Sequence, residues 1–203
     1  VEEVVKDLFE AVYWLALVVE VIVRLPFQKH WKSAARVDRR VTRTDRTLVS
    51  LLWVTMIILP LIYSVTDWLD FADYRLPGWM GWLGVVLLGG ALVLFALAHR
   101  SLKSNWSPTL EIYEGHTLVT DGIYRYIRHP MYASQWLWGI AQMLLLQNWI
   151  AGPVNLLYFI PFYFLRTRAE ERMMLDVFGD RYRELMKRTG GVIPRIGSLV
   201  SNR

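Results

Sequence analysis

WMGWLGVVLLGGALVLFALA, residues 79–98, runs for 20 positions without a charged side chain. A helix of that length is about 30 Å long, the thickness of a bilayer's hydrocarbon core. The segment therefore reads as a membrane span, and four further apolar segments extend the reading. They are residues 8–23 (the weakest), 48–65, 132–147 and 153–165. The last two flank a polar turn at residues 148–152, where Gly152 and Pro153 are helix breakers, so 132–165 reads as a helical hairpin. The expected fold is all-α: a polytopic membrane protein with five transmembrane helices in one domain, residues 1–203. Residues 1–98 hold three N-terminal spans and a basic loop at 24–47. Residues 99–203 hold the hairpin and a polar C-terminal segment.

The charges agree with this division. Of 23 Lys and Arg, 21 fall in three loops, 24–47, 99–131 and 166–203; only Lys6 and Arg75 lie elsewhere. The opposite loop, 66–78, holds Asp67, Asp70 and Asp73. By the positive-inside rule the N-terminus is outside and the C-terminus cytoplasmic. Trp68, Trp79, Trp82 and Trp149 fall near the outer boundary, as an aromatic belt would. The acidic start, with Glu2, Glu3, Asp7 and Glu10, is the reverse of a signal-peptide n-region. An apolar content of 54% exceeds what a soluble domain of this size needs.

The net charge of +5 admits a nucleic-acid partner, but sidedness explains the basic residues better, so no nucleic acid is expected. Loop 24–47 reads as a cytoplasmic segment touching anionic headgroups, with Phe27, Trp31, Ala34, Ala35 and Val37 on one face of an interfacial helix. Glu20 lies inside the first span, where a carboxylate suggests function. Arg24, four residues on, offers it a partner on the same helix face. Gly84, Gly89 and Gly90 read as sites of close helix packing. There is no cysteine, hence no thiol nucleophile or Cys-ligated metal. The four histidines, His30, His99, His116 and His129, lack metal-ligand spacing, so no metal is expected. Neither a Rossmann glycine fingerprint nor a P-loop is present.

The candidate chemistry lies on the cytoplasmic face, in two clusters. The first is GHTLVTDGIYRYIRHPMY, residues 115–132, dense in His, Tyr and Arg. The second begins where the hairpin ends, with Arg166, Arg168, Glu170, Glu171 and Arg172. Arg166 and Glu170 share a helix face. The hairpin returns the second cluster to the depth of His129 and Tyr132, which makes a shared pocket the expected arrangement.

These motifs resemble the isoprenylcysteine carboxyl methyltransferase family. The resemblance covers roughly residues 104–196: L-V-T, R-H-P-x-Y, the glutamate pair, F-G-x-x-Y at 178–182 and the terminal I-P. It implies S-adenosylmethionine as cofactor, bound by His116, Thr117, Leu118, Val119, Tyr124, His129, Pro130, Met131, Tyr132 and Glu170. After the Ser104-Asn105-Trp106 triplet it points to Glu111, where relatives often carry glutamine. Arg166 is the implied substrate-binding residue, meeting the acceptor carboxylate, and Arg166 and Glu170 are the implied catalytic pair. Ala133 departs from the glycine many members have after the motif tyrosine. The implied partners are a prenylated or lipid-like acceptor and membrane lipids. The implied location is a multi-pass protein of a prokaryotic cell membrane rather than the endoplasmic reticulum.

Elementary chemistry fits this expectation. A carboxylate acceptor is already ionised at neutral pH, so methyl transfer to it needs alignment rather than a general base. A guanidinium matches a carboxylate with paired hydrogen bonds, as an ammonium does not. The competing expectations are an amine N-methyltransferase with His129 or Glu171 as base, a nicotinamide-dependent reductase, and a non-catalytic membrane scaffold.

Overall fold

The computed structural model describes residues 2–33, 36–113 and 115–195. Helix α1 (Glu2–Ser33) carries an inward stripe at Phe9, Tyr13, Ala16 and Glu20, spaced by three and four residues as a helix face requires. Leu15, Val18 and Ile22 face outward. The helix runs on through Pro26 for ten residues past the expected end of the first span. Ala34 and Ala35 lie outside the described residues. Val37 belongs to a strand rather than to an interfacial helix: β1 (Arg36–Arg39) pairs antiparallel with β2 (Glu111–Tyr113). The described residues are thus mostly helical, with a two-stranded element that the all-α expectation lacked.

Helix α2 (Arg43–Trp53) starts at Thr42, whose hydroxyl accepts from the backbone N–H of Asp45. It passes through a π-helical turn (Val54–Ile58) into α3 (Leu59–Val65). A π turn loosens the backbone ladder, and buried side chains bond to the carbonyls here. Gln142 donates to Thr55 O at 3.0 Å, and the Tyr13 hydroxyl donates to Met56 O. Asn155 donates to Gln142 Oε1 at 2.9 Å and accepts from Thr55 Oγ1 at 3.0 Å. One polar knot therefore ties four helical segments inside an apolar core.

Helix α4 (Gly78–Leu102) buries Gly81, Gly84, Leu88, Ala91, Phe95 and Ala98, again at alternating spacings of three and four. A Cβ on Gly81 would stand 2.1 Å from the Phe9 ring, and one on Gly84 would stand 3.0 Å from Leu144. Gly89 meets nothing, and Gly90 only a leucine methyl at 3.7 Å. Close packing thus rests on Gly81 and Gly84, and Gly89 and Gly90 do not serve it as expected. Helix α5 (Pro130–Leu146) is central: it packs on α1, α4 and α6 (Pro153–Phe178), and none of its residues is exposed. Helix α7 (Asp180–Arg188) follows a turn at Gly179, whose φ of +54° suits glycine.

Two segments, Arg43–Val65 and Gly78–Asn105, are long and apolar enough to cross a bilayer by length and composition. Helix α5 is shorter, at 17 residues, and the second half of α6 is charged. Polar segments gather at the two ends of the bundle. At one end β1 meets β2, and Arg40 reaches Asp176 at 2.6 Å. At the other, Lys6 meets Asp73 at 3.0 Å. There buried Asn148 donates to Asp73 Oδ1 and Leu69 O.

Candidate active site

A cavity of about 340 Å³ opens at the end that carries the strand pair. Its walls include Glu111, His116, Thr117, Leu118, Val119, Tyr124, His129, Met131, Tyr132, Arg166 and Glu170. Pro130 does not line it; it is buried at the first position of α5, where its fixed φ starts the helix. Residues 115–132 and the α6 cluster thus meet across one space. Asn105 fixes part of that wall. Its Oδ1 accepts from the Thr117 N–H at 2.9 Å and its Nδ2 faces the Thr117 hydroxyl at 3.3 Å.

Glu170 and Glu171 bracket His129. The imidazole Nδ1 lies 3.6 Å from Glu170 Oε2, and Nε2 lies 3.1 Å from Glu171 Oε1. Tyr132 donates to Glu170 Oε1 at 2.9 Å, and Arg166 Nε stands 4.0 Å from that oxygen. Burial alone would push the His129 imidazole down, but the two carboxylates outweigh it and hold the ring above its ordinary value. Burial would likewise raise Glu170. His129, Arg166 and Tyr132 outweigh it and hold the carboxyl below the usual range. The hydrogen bond from His129 depresses Glu171 too, with help from Arg128. Burial pushes the Tyr124 phenol up and the His116 imidazole down.

Arg166 is committed to a partner that sequence reasoning missed. Its Nη1 donates to Asp45 Oδ1 at 2.6 Å, and its Nη2 donates to Pro108 O at 2.9 Å. Arg166 and Asp45 are each about 5% exposed. Asp45 is an acid inside a basic stretch, three residues after a capping threonine. That isolation was the available signal, but nothing local indicates a partner 121 positions away.

A backbone strap anchors the segment that carries His129. Arg128 N–H and His129 N–H donate to Gly190 O and Gly191 O at 2.9 and 3.0 Å. The Arg128 guanidinium bridges Glu171 Oε1 at 3.0 Å and Thr189 O at 2.6 Å. A Cβ on Gly190 would fall 1.7 Å from Ile193 O, so only glycine fits there.

Comparison with known proteins agrees with the motif resemblance. The sequence model of the Isoprenylcysteine carboxyl methyltransferase (ICMT) family matches residues 82–176. A protein-S-isoprenylcysteine O-methyltransferase of Tribolium castaneum is 31% identical over 144 residues, 66% of this chain and 51% of that protein. Its namesake in Schizosaccharomyces pombe is 32% identical over 114 residues, 56% of this chain and 48% of that one. The chain thus spans about half the length of these relatives. A probable protein-S-isoprenylcysteine O-methyltransferase of Oryza sativa subsp. indica is 25% identical over 81% of this chain and 87% of its own length. Among solved structures, the eukaryotic intramembrane Ras methyltransferase ICMT aligns with a TM-score of 0.53 at 24% identity. That alignment covers 77% of this chain and 55% of the other, and speaks to the fold.

Proposed function

We propose, from a chain that matches the isoprenylcysteine carboxyl methyltransferase family over residues 82–176, that this protein is an S-adenosylmethionine-dependent methyltransferase. In this reading it methylates the carboxylate of a prenylated or lipid-like acceptor where membrane meets cytoplasm. The observation that carries the reading is Glu170, held ionised by His129, Tyr132 and Arg166 in the wall of the one cavity that the HTLV and RHPMY motifs share.

The cavity suits the cofactor. Its volume falls in the range of about 300–1,000 Å³ usual for small-molecule sites. Glu170 and buried Glu111 supply negative charge for an ammonium and a sulfonium. The faces of Tyr124 and Tyr132 suit cationic or planar groups. Leu118, Val119 and Ile112 offer an apolar wall for an adenine. When bound, S-adenosylmethionine supplies an electrophilic methyl group.

The protein's own residues then bind and align. Glu170 is pre-set as an anion before any ligand arrives, so little reorganisation accompanies binding. His129, its pKa raised by the flanking glutamates, pairs with Glu170 and orients it. A carboxylate acceptor fits this arrangement, since it needs no base. Leu118 and Val119 add apolar surface to the cavity wall, which strengthens attraction between opposite charges beside it.

Five spans fit the bundle, although two segments pass on length and composition alone. Exposed Leu15, Ile22, Val86, Val93, Leu157 and Phe164 give the helices an outward apolar surface. Loops assigned to the same side meet one another: 24–47 meets 99–131 through β1 and β2, and 66–78 meets 148–152 through Asp73 and Asn148. The cavity then lies on the cytoplasmic side.

The test is calorimetry on detergent-purified protein with S-adenosylmethionine and its demethylated product, together with His129→Ala and Glu170→Ala. Binding by the parent protein, weakened in both variants, is expected. No binding by the parent overturns the reading.

A further inference from the structure

Arg166 and Glu170 are one turn apart on α6, the spacing at which opposite charges on a helix pair. Here they stop short of a hydrogen bond. Arg166 Nε stands 4.0 Å from Glu170 Oε1, and that Nε is buried with no hydrogen-bond partner among the described residues. The far end of the guanidinium is held elsewhere. Nη1 donates to Asp45 Oδ1 at 2.6 Å, and Nη2 donates to Pro108 O at 2.9 Å.

Asp45 is itself fixed. Its backbone N–H donates to Thr42 Oγ1 at 3.1 Å. The Tyr158 hydroxyl of α6 donates to Leu48 O at 2.6 Å, which docks the start of α2 on α6. Asp45 Oδ2 is buried and has no hydrogen-bond partner among the described residues, so the hydrogen bond to Arg166 is undivided.

The separation matters because the capacity of Glu170 is finite. A carboxylate offers about four lone-pair sites. Tyr132 donates to Oε1 at 2.9 Å, and His129 Nδ1 faces Oε2 at 3.6 Å. A guanidinium paired fork to fork would fill the remaining sites and cancel the charge. Little would be left for a cationic ligand in the cavity that Glu170 lines. At 4.0 Å, Arg166 is near enough to favour the anion and too far to occupy it.

We propose that Asp45 is a positioning residue: it holds Arg166 off Glu170 and so keeps Glu170 open to the cationic part of the cofactor. Asp45 lies outside residues 82–176, the segment that the family model matches. Arg166 and Glu170 line the cavity, whereas Asp45 does not, so its effect on a ligand passes through Arg166. The assignment rests on the S-adenosylmethionine reading, and its test reads binding rather than turnover.

The test compares two ligands by calorimetry on the detergent-purified chain. S-adenosylmethionine carries an ammonium and a sulfonium; methylthioadenosine carries neither. Asp45→Asn keeps the shape of the side chain and removes its charge. It should weaken S-adenosylmethionine binding by about threefold to tenfold, the scale of one hydrogen bond, and leave methylthioadenosine within about twofold. Asp45→Asn/Arg166→Gln removes the guanidinium as well and should bring S-adenosylmethionine back to within about twofold of the parent. Where Asp45→Asn yields no folded protein, Thr42→Ala removes the cap that fixes Asp45 and should weaken S-adenosylmethionine alone. Equal losses for the two ligands, unchanged S-adenosylmethionine binding, or a double variant as weak as Asp45→Asn overturns the assignment and leaves the methyltransferase reading standing. A parent that binds no S-adenosylmethionine overturns both.

Discussion

Arg166 Nη1 lies 2.6 Å from Asp45 Oδ1, and this contact joins the start of α2 to the middle of α6 beside the cavity that Arg166 lines. Two charges so enclosed depend on one another. Asp45→Ala leaves a buried guanidinium without its counter-charge and should lower stability by about 3–5 kcal/mol. Asp45→Leu with Arg166→Met removes both charges and should recover most of that loss. Thermal unfolding in detergent tests it. A double variant no more stable than Asp45→Ala would show that the two residues do not act as a unit.

His129 couples the site to pH. Its folded value lies above the ordinary 6.5, so the stability it contributes is complete below about 6.5 and is lost as pH rises through the raised value. Glu170 and Glu171 lie below the ordinary 4.5, so their contribution is present above about 4.5 and is lost as pH falls through their depressed values. Between those limits the triad is fully charged. The melting midpoint should therefore fall on the alkaline side in the parent protein, and His129→Gln should flatten that limb. An unchanged alkaline slope in the variant would assign the effect to other groups.

Glu170→Gln keeps the shape of the side chain and removes its charge. Loss of a charge-assisted contact of about 1.5–3 kcal/mol should weaken S-adenosylmethionine binding by about 10- to 150-fold. Tyr132→Phe removes one hydrogen bond to Glu170 and should cost about 0.5–1.5 kcal/mol, or two- to tenfold. Calorimetry ranks the two, and a larger loss for Tyr132→Phe would contradict the order.

The glycines of α4 separate two roles. Gly81→Ala drives a methyl into the Phe9 ring and should destabilise by about 1–3 kcal/mol. Gly89→Ala meets open space and gains helix propensity, so it should be neutral or stabilising by up to about 1 kcal/mol. Comparison of melting midpoints decides it; equal losses at both positions would contradict the packing described.

Long-period features were readable from the chain alone. The apolar run at 79–98 falls inside α4, and the hairpin motif becomes α5 and α6 around Asn148. The polar motifs at 115–132 converge with Glu170 because a hairpin must bring its end back to its start. What was hidden depends on rotation and distance. Gly81 and Gly89 differ only in which neighbour their helix face meets, and no window of sequence contains that neighbour. β1 and β2 are strands of four and three residues, each too short to show alternation, and they exist only through pairing across more than 70 positions. The partner of Arg166 was invisible for the same reason.

The strap ties two distant segments into one folding unit. Arg128 and His129 donate backbone N–H groups to Gly190 and Gly191, and Tyr126 accepts from Gly190, some 60 positions later in the chain. A folding chain ordered only as far as Phe178 holds α5, α6 and both glutamates but leaves these backbone groups to water. The loop that carries His129 therefore gains its last backbone partners only once the residues beyond α7 are in place.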